Sequence, residues 1–161
     1  MANKKVIIRK ATKRNLKDIL RMIREYQRYD VEFARRHYER FFSYKSDEMT
    51  EKDEVYVALL DEEPVGVIGY CRDYFSTDYS YWLGWFIVRK KFRRNRIGTK
   101  LLRKVERDLK AMRKRNLFVS TEDNNKEAKS FYTANGFRTE GVVRDYYWNG
   151  EDQLIMSKTL L

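Results

Sequence analysis

A chain of 161 residues, 42% hydrophobic and 15% aromatic, is long enough for one ordinary core and too short for two comfortable domains, so residues 1–161 are read as a single domain. Its apolar runs are only a few residues long, and Met1-Ala2-Asn3-Lys4-Lys5 lacks a signal peptide's apolar stretch; this argues against membrane insertion or export and makes a cytoplasmic location the expectation. The net charge of +11 is concentrated: residues 89–115 hold 14 Lys and Arg against Glu106 and Asp108, a balance of +12, leaving −1 on everything else. Such a field favours a polyanion, either nucleic acid or a phosphorylated cofactor.

In chain order, Lys5 to Lys10 is a short β-rich run. Thr12 then offers an N-cap, and Leu16, Ile19, Leu20, Ile23 and Tyr26 recur at helical spacing. A second helix is expected over Val31 to Tyr44. In its charged run, the lone histidine, His37, reads as part of a solvated face. Glu54 to Leu60 and Val65 to Tyr70 read as a hairpin around Asp61-Glu62-Glu63-Pro64. The lone cysteine, Cys71, follows as a buried small hydrophobe. With one His and one Cys, neither an internal disulfide nor a transition-metal site is expected. Tyr79 to Val88 is the next strand. From Ile97, the set Ile97, Leu101, Leu102, Val105, Leu109 and Met112 forms one apolar helical stripe with basic residues on the other faces. Leu117 to Ser120 is a strand and Asn125 to Ala134 a helix with Ala128, Phe131 and Tyr132 inward. Phe137 to Tyr147 and Gln153 to Thr159 close the chain as antiparallel strands. The order is mixed α/β.

The junction from Val88 to Leu102 joins a strand to a basic loop and then to an amphipathic helix. Free N–H groups in the first helical turn and the helix dipole make such a junction an anion site, and Gly98 lets a phosphate approach the backbone closely. Here the chain resembles the GNAT superfamily of N-acetyltransferases, whose signature is Gln or Arg, two variable residues, Gly, a variable residue, then Gly or Ala. Arg93 fills the first position and Gly98 the last, but Arg96 stands where the first glycine is usual. A second segment, Asn125 to Phe137, is similar to the family's later one, with Asn, Ala, Tyr and Gly-Phe at matching separations. The resemblance implies a mixed, mostly antiparallel sheet of about seven strands flanked by about four helices. Residues 27–53 match no part of the family's pattern.

It also implies acetyl-CoA as co-substrate and direct attack of a neutral amine on the thioester in a ternary complex. Arg93, Arg94, Asn95, Arg96, Ile97, Gly98 and Thr99 would hold the pyrophosphate, and Phe86, Ile87 and Val88 would offer backbone groups to the pantetheine arm. Asn125 would bond that arm or serve as a plain N-cap. Tyr132 occupies the position of the acid that protonates the leaving thiolate; the alternative is an aromatic packed beneath Gly136-Phe137. In the ribosomal-protein alanine N-acetyltransferases, which the second half resembles, a Glu lies five residues before the motif's Asn. Ser120 takes that place here. Glu122 shares its face only if the strand runs that far, and stands as base or as solvated loop acid.

Tyr146 and Tyr147, followed by Glu151-Asp152 and a strand containing Met156, are similar to protein N-terminal acetyltransferases. There such tyrosines bind the first peptide residues; the alternative is cross-strand packing. The expected acceptor is therefore a protein or peptide α-amine. A polyamine-like small amine and a coenzyme-binding domain without turnover remain as alternatives. A nucleic-acid module is disfavoured, since the basic helix carries an apolar stripe and no aromatic signature accompanies it. Monomer and homodimer are both open.

Overall fold

The computed structural model describes residues 5–26, 31–43, 53–73 and 78–161. Strands β1 (Val6–Lys10), β2 (Glu54–Leu60), β3 (Glu63–Arg72), β4 (Ser80–Val88), β5 (Asn116–Glu122), β6 (Arg138–Val143) and β7 (Gln153–Thr159) form one sheet in the order β1-β2-β3-β4-β5-β7-β6. Helices α1 (Leu16–Tyr26), α2 (Val31–Ser43), α3 (Ile97–Ala111) and α4 (Lys126–Ala134) complete the expected GNAT-type inventory. The described strand pairings are antiparallel except β4 with β5. A parallel pair needs a crossover between its strands, and α3 is that connection.

The chain divides into two compact units. The first comprises Met1–Arg72 and Gly84–Val105. Its core brings Ile19, Met22 and Ile23 of α1 and Ala34, Tyr38 and Phe41 of α2 onto Val55, Val57, Val67 and Ile87 of the strands. Strand β2 is buried on both faces, which explains why its apolar residues run without alternation. Gly66 is needed here: a Cβ would lie 3.1 Å from the Ile87 carbonyl oxygen and 3.1 Å from Leu101 Cδ1. The second unit, Asp73–Leu83 and Glu106–Leu161, buries Tyr81, Leu109, Leu117, Val119, Phe137, Leu154 and Met156.

Several expectations shift. Tyr26, placed on the apolar stripe of α1, is 48% exposed, because it ends the helix one step past the last buried turn. The β2–β3 turn takes only Asp61 and Glu62, both with left-handed φ, so β3 starts at Glu63. Cys71 is half-buried near the end of β3. His37 is exposed as expected, while one side of its ring packs 5.1 Å from Trp85, and partial desolvation there, then Arg40, lowers its pKa. Of the expected inner face of α4, Tyr132 alone is buried, and Ala128 and Phe131 are half-buried. Strand β6 stops at Val143, which leaves Tyr146 and Tyr147 in a loop. Tyr44, expected to end the second helix, and residues 27–30 and 44–52 of the unmatched 27–53 segment lie outside the described residues.

Candidate active site

In the first unit, β4 ends at Val88 and its line is prolonged by a bond from Arg89 N–H to the Val65 carbonyl at 3.0 Å. The loop to α3 is then shaped by its own side chains. Arg93 Nε donates to the Val88 carbonyl at 3.0 Å, and Asn95 Nδ2 donates to the carbonyls of Phe92 and Arg93, both at 3.2 Å. Arg94 and Arg96 take left-handed φ values of 63° and 58°. Left-handed residues of this kind are the bends from which anion-binding nests are built.

Helix α3 makes its first bond from Lys100 N–H to the Arg96 carbonyl at 3.0 Å. Among the described residues, the N–H groups of Arg94 through Thr99 have no hydrogen-bond partner. A row of unpaired amides at a helix start, flanked by the exposed cations Arg94, Arg96 and Lys100, fits the diphosphate of a nucleotide-bearing coenzyme. Arg89 and Lys91 play another part. Arg89 bridges Glu25 at 3.1 Å and Glu63 at 2.5 Å, and Lys91 meets Glu63 at 3.0 Å. Their charge is spent anchoring the loop, and both cations hold the Glu63 carboxyl below the usual carboxylate range.

In the second unit, β5 runs to Glu122, so strand alternation puts Ser120 and Glu122 on one face. Glu122 pairs with Gln153 across the ladder and its carbonyl accepts from Asn125 N–H at 3.0 Å. The Asn125 side chain accepts from Ala128 N–H at 3.0 Å, so the N-cap alternative holds for it and sets the start of α4. Tyr132 is 7% exposed, with ring centroids of Phe131 at 5.5 Å and Phe137 at 5.4 Å. The ring packs against Phe137 at the Gly136-Phe137 turn, and the Tyr132 backbone carbonyl accepts from Phe137 N–H at 3.0 Å. Tyr146 and Tyr147 both donate N–H to the Glu151 carbonyl, at 3.1 and 3.0 Å, and their rings meet edge-on at 5.1 Å. Among the described residues, the β4–β5 ladder pairs Ser80–Trp82 with Asn116–Phe118.

The sequence model of the acetyltransferase (GNAT) family matches residues 16–137, more than half of the 161. The chain belongs to the GNAT acetyltransferase family. It is an acetyl-CoA-dependent N-acetyltransferase by that membership, with acetyl-CoA as co-substrate. Solved structures agree on the fold. A protein assigned to the GNAT family in Desulfovibrio desulfuricans has a TM-score of 0.85 at 20% identity, covering 98% of this chain and 100% of its own. A ribosomal-protein-alanine N-acetyltransferase from Brucella melitensis gives 0.78 at 20% identity, with 95% and 99% covered. An aminoglycoside 6'-N-acetyltransferase complexed with coenzyme A gives 0.74 at 18%, with 96% and 97% covered. No curated protein matches the sequence.

The GNAT motif accounts for two residues whose roles the sequence did not reveal. Arg93, expected to meet phosphate, also closes the loop onto β4 through its Nε. Asn95 read as one more phosphate neighbour and is the loop's internal brace; its turn-forming habit was the available signal. Among the described residues no helix is long and apolar enough to cross a membrane.

Proposed function

We propose that this GNAT enzyme acetylates the α-amine of a protein or peptide. The single observation that carries the coenzyme half is the run of unpartnered N–H groups from Arg94 to Thr99, with Arg93 and Asn95 fixing its shape. The acceptor half is supported by Tyr146 and Tyr147, held at one end of the β6–β7 loop by a shared carbonyl. The likeness to the Brucella alanine N-acetyltransferase points the same way. The net charge of +11 also repels polycationic acceptors.

Bound coenzyme supplies an acetyl thioester. Phe86, Ile87 and Val88 offer strand backbone to the pantetheine amides, with the Val88 carbonyl already engaged by Arg93. Asn125 fixes the start of the helix that carries Tyr132. The neutral amine nitrogen attacks the carbonyl carbon, the C–S bond breaks, and the Tyr132 hydroxyl gives its proton to the departing sulfur. Glu122, directly or through water, takes the proton that the nitrogen loses. Return of that proton to the Tyr132 oxygen restores both groups, and the products are amide and free thiol. The family match across residues 16–137 supports reading the chain as one acetyltransferase domain; a cytoplasmic location and a monomer or homodimer complete the reading.

Thiol release with acetyl-CoA and a panel of short peptides, set against spermidine and other small amines, tests this. A kcat/KM at least about tenfold higher for a peptide is expected. Faster polyamine turnover would move the acceptor to the small-amine class. Coenzyme binding by calorimetry with no thiol release from any amine would leave a coenzyme-binding domain without turnover.

A further inference from the structure

The positive excess of residues 89–115 is larger than the coenzyme loop uses. Lys104 is held by Tyr56, through its hydroxyl at 3.1 Å and its ring at 4.4 Å, and Lys114 by Asp78 at 2.6 Å. Arg113 and Arg115, just beyond α3, are both exposed, and among the described residues their side chains have no ion pair, hydrogen bond or ring contact. Both line an open cleft of about 860 Å³ in the second unit, with Tyr79, Asn116, Arg138 and Thr159 among the other walls. Neither Asp nor Glu is among its described lining residues. Arg138 shares its charge with Glu140 at 2.8 Å.

The cleft is built on firm backbone. The Tyr79 carbonyl accepts from the N–H groups of both Arg115 and Asn116, at 2.9 and 3.1 Å, and the Arg115 carbonyl accepts from Leu160 N–H at 2.8 Å. This fixes the backbone of Tyr79, whose side chain is largely in solvent at 59% exposure, against that of Arg115. An exposed aromatic ring is a stacking surface, and unpaired guanidinium groups beside it are phosphate ligands. Helix α3 leads toward Arg113 with Arg103, Arg107 and Lys110 exposed at helical spacing, again without partners among the described residues.

We infer that this cleft binds single-stranded nucleic acid, with a base stacked on Tyr79 and phosphates on Arg113 and Arg115. The basic helix alone did not favour nucleic acid, because no aromatic surface accompanied it in the sequence; the fold supplies one from the turn just before β4. The acceptor and coenzyme residues take no part, so the inference stands apart from the acetyl-transfer reading.

Fluorescence anisotropy with a labelled oligo(dT) of about ten nucleotides tests it. Wild-type protein is expected to bind, with log K falling against log salt at a slope of about −1.4 for the two phosphate contacts. Arg113→Glu with Arg115→Glu should weaken binding at least about tenfold while acetyl-CoA affinity by calorimetry is kept; the Gln pair replaces it if melting shows loss of fold. Tyr79→Ala should weaken binding about tenfold with the salt slope unchanged. The inference fails if wild-type protein does not bind at about 50 mM salt, or if the arginine variants bind as well as wild type. Displacement of the oligonucleotide by acetyl-CoA would also overturn it, placing the contact at the coenzyme loop. Equal displacement by polyglutamate, with Tyr79→Ala silent, would assign the cleft to an acidic protein instead.

Discussion

Arg96 occupies the motif position where the GNAT family usually has glycine, and its φ is 58°. For an L-residue with a Cβ, this left-handed region costs about 1 to 2 kcal/mol. Glycine removes that strain and returns about 0.4 to 1 kcal/mol to the unfolded chain as added freedom. Arg96→Gly should therefore stabilise the protein by roughly 0.5 to 1 kcal/mol, since the side chain is exposed and has no partner to lose among the described residues. Arg96→Ala is the control: it deletes the same cation and keeps the Cβ. Urea unfolding of the two variants should rank Gly above Ala by about 1 kcal/mol, or about 2 to 4 °C in Tm. Both should weaken acetyl-CoA binding by a similar factor of about 2 to 5, the share of one exposed cation beside a phosphate. If Ala equals or exceeds Gly in stability, the positive φ carries no strain and the account of the loop is wrong.

Tyr132→Phe keeps the ring against Phe131 and Phe137 and removes the hydroxyl proposed as the acid. It should lower kcat about a hundredfold with coenzyme affinity nearly unchanged, and full turnover in a thiol-release assay would remove Tyr132 from the chemistry. Gly66→Ala puts a methyl 3.1 Å from the Ile87 carbonyl oxygen. A loss of about 1 to 3 kcal/mol in urea and a raised KM for acetyl-CoA should follow, because the pushed strand is the one proposed to meet pantetheine. Burial first, then Arg40, lowers the His37 pKa below its ordinary 6.5. The folded state thus prefers the neutral ring, and its contribution is full above pH 6.5 and declines as pH falls through the lowered folded value. With one histidine in the chain, His37→Gln should flatten the urea midpoint between about pH 7.5 and 5, and an unchanged slope there would refute this.

The coenzyme loop was legible because its chemistry is local. A strand end, a basic loop and an amphipathic helix must present amides at the helix start, whatever surrounds them, and Ile97 begins α3 as the apolar stripe requires. The same locality made β2 and β7 readable to the residue. Glu122 depended on how far β5 extends, which is decided by its seven-pair ladder with β7, a partner distant in sequence. The end of β6 was misjudged for a similar reason. Residues 144–147 have strand-like composition, but β7 offers no register partner beyond Gln153, so the chain turns away at Val143. Tyr79 drew no notice beside the basic segment, because only backbone pairing brings it to Arg115.

Lys158 extends from β7 to reach two segments far away along the chain. Its ammonium meets Glu106 of α3 at 2.6 Å and the Asn135 carbonyl at 2.7 Å, while its Cε would lie 3.4 Å from any Cβ placed on Gly136, whose φ is 87°. The glycine before Phe137 is therefore required by torsion, and the lysine chain crosses it at ordinary contact distance. A family signature written as two adjacent letters is here a clasp among a helix, a turn and a strand. A mutation at Lys158 would be felt at the turn that closes off Tyr132, although nothing in the motif mentions that lysine.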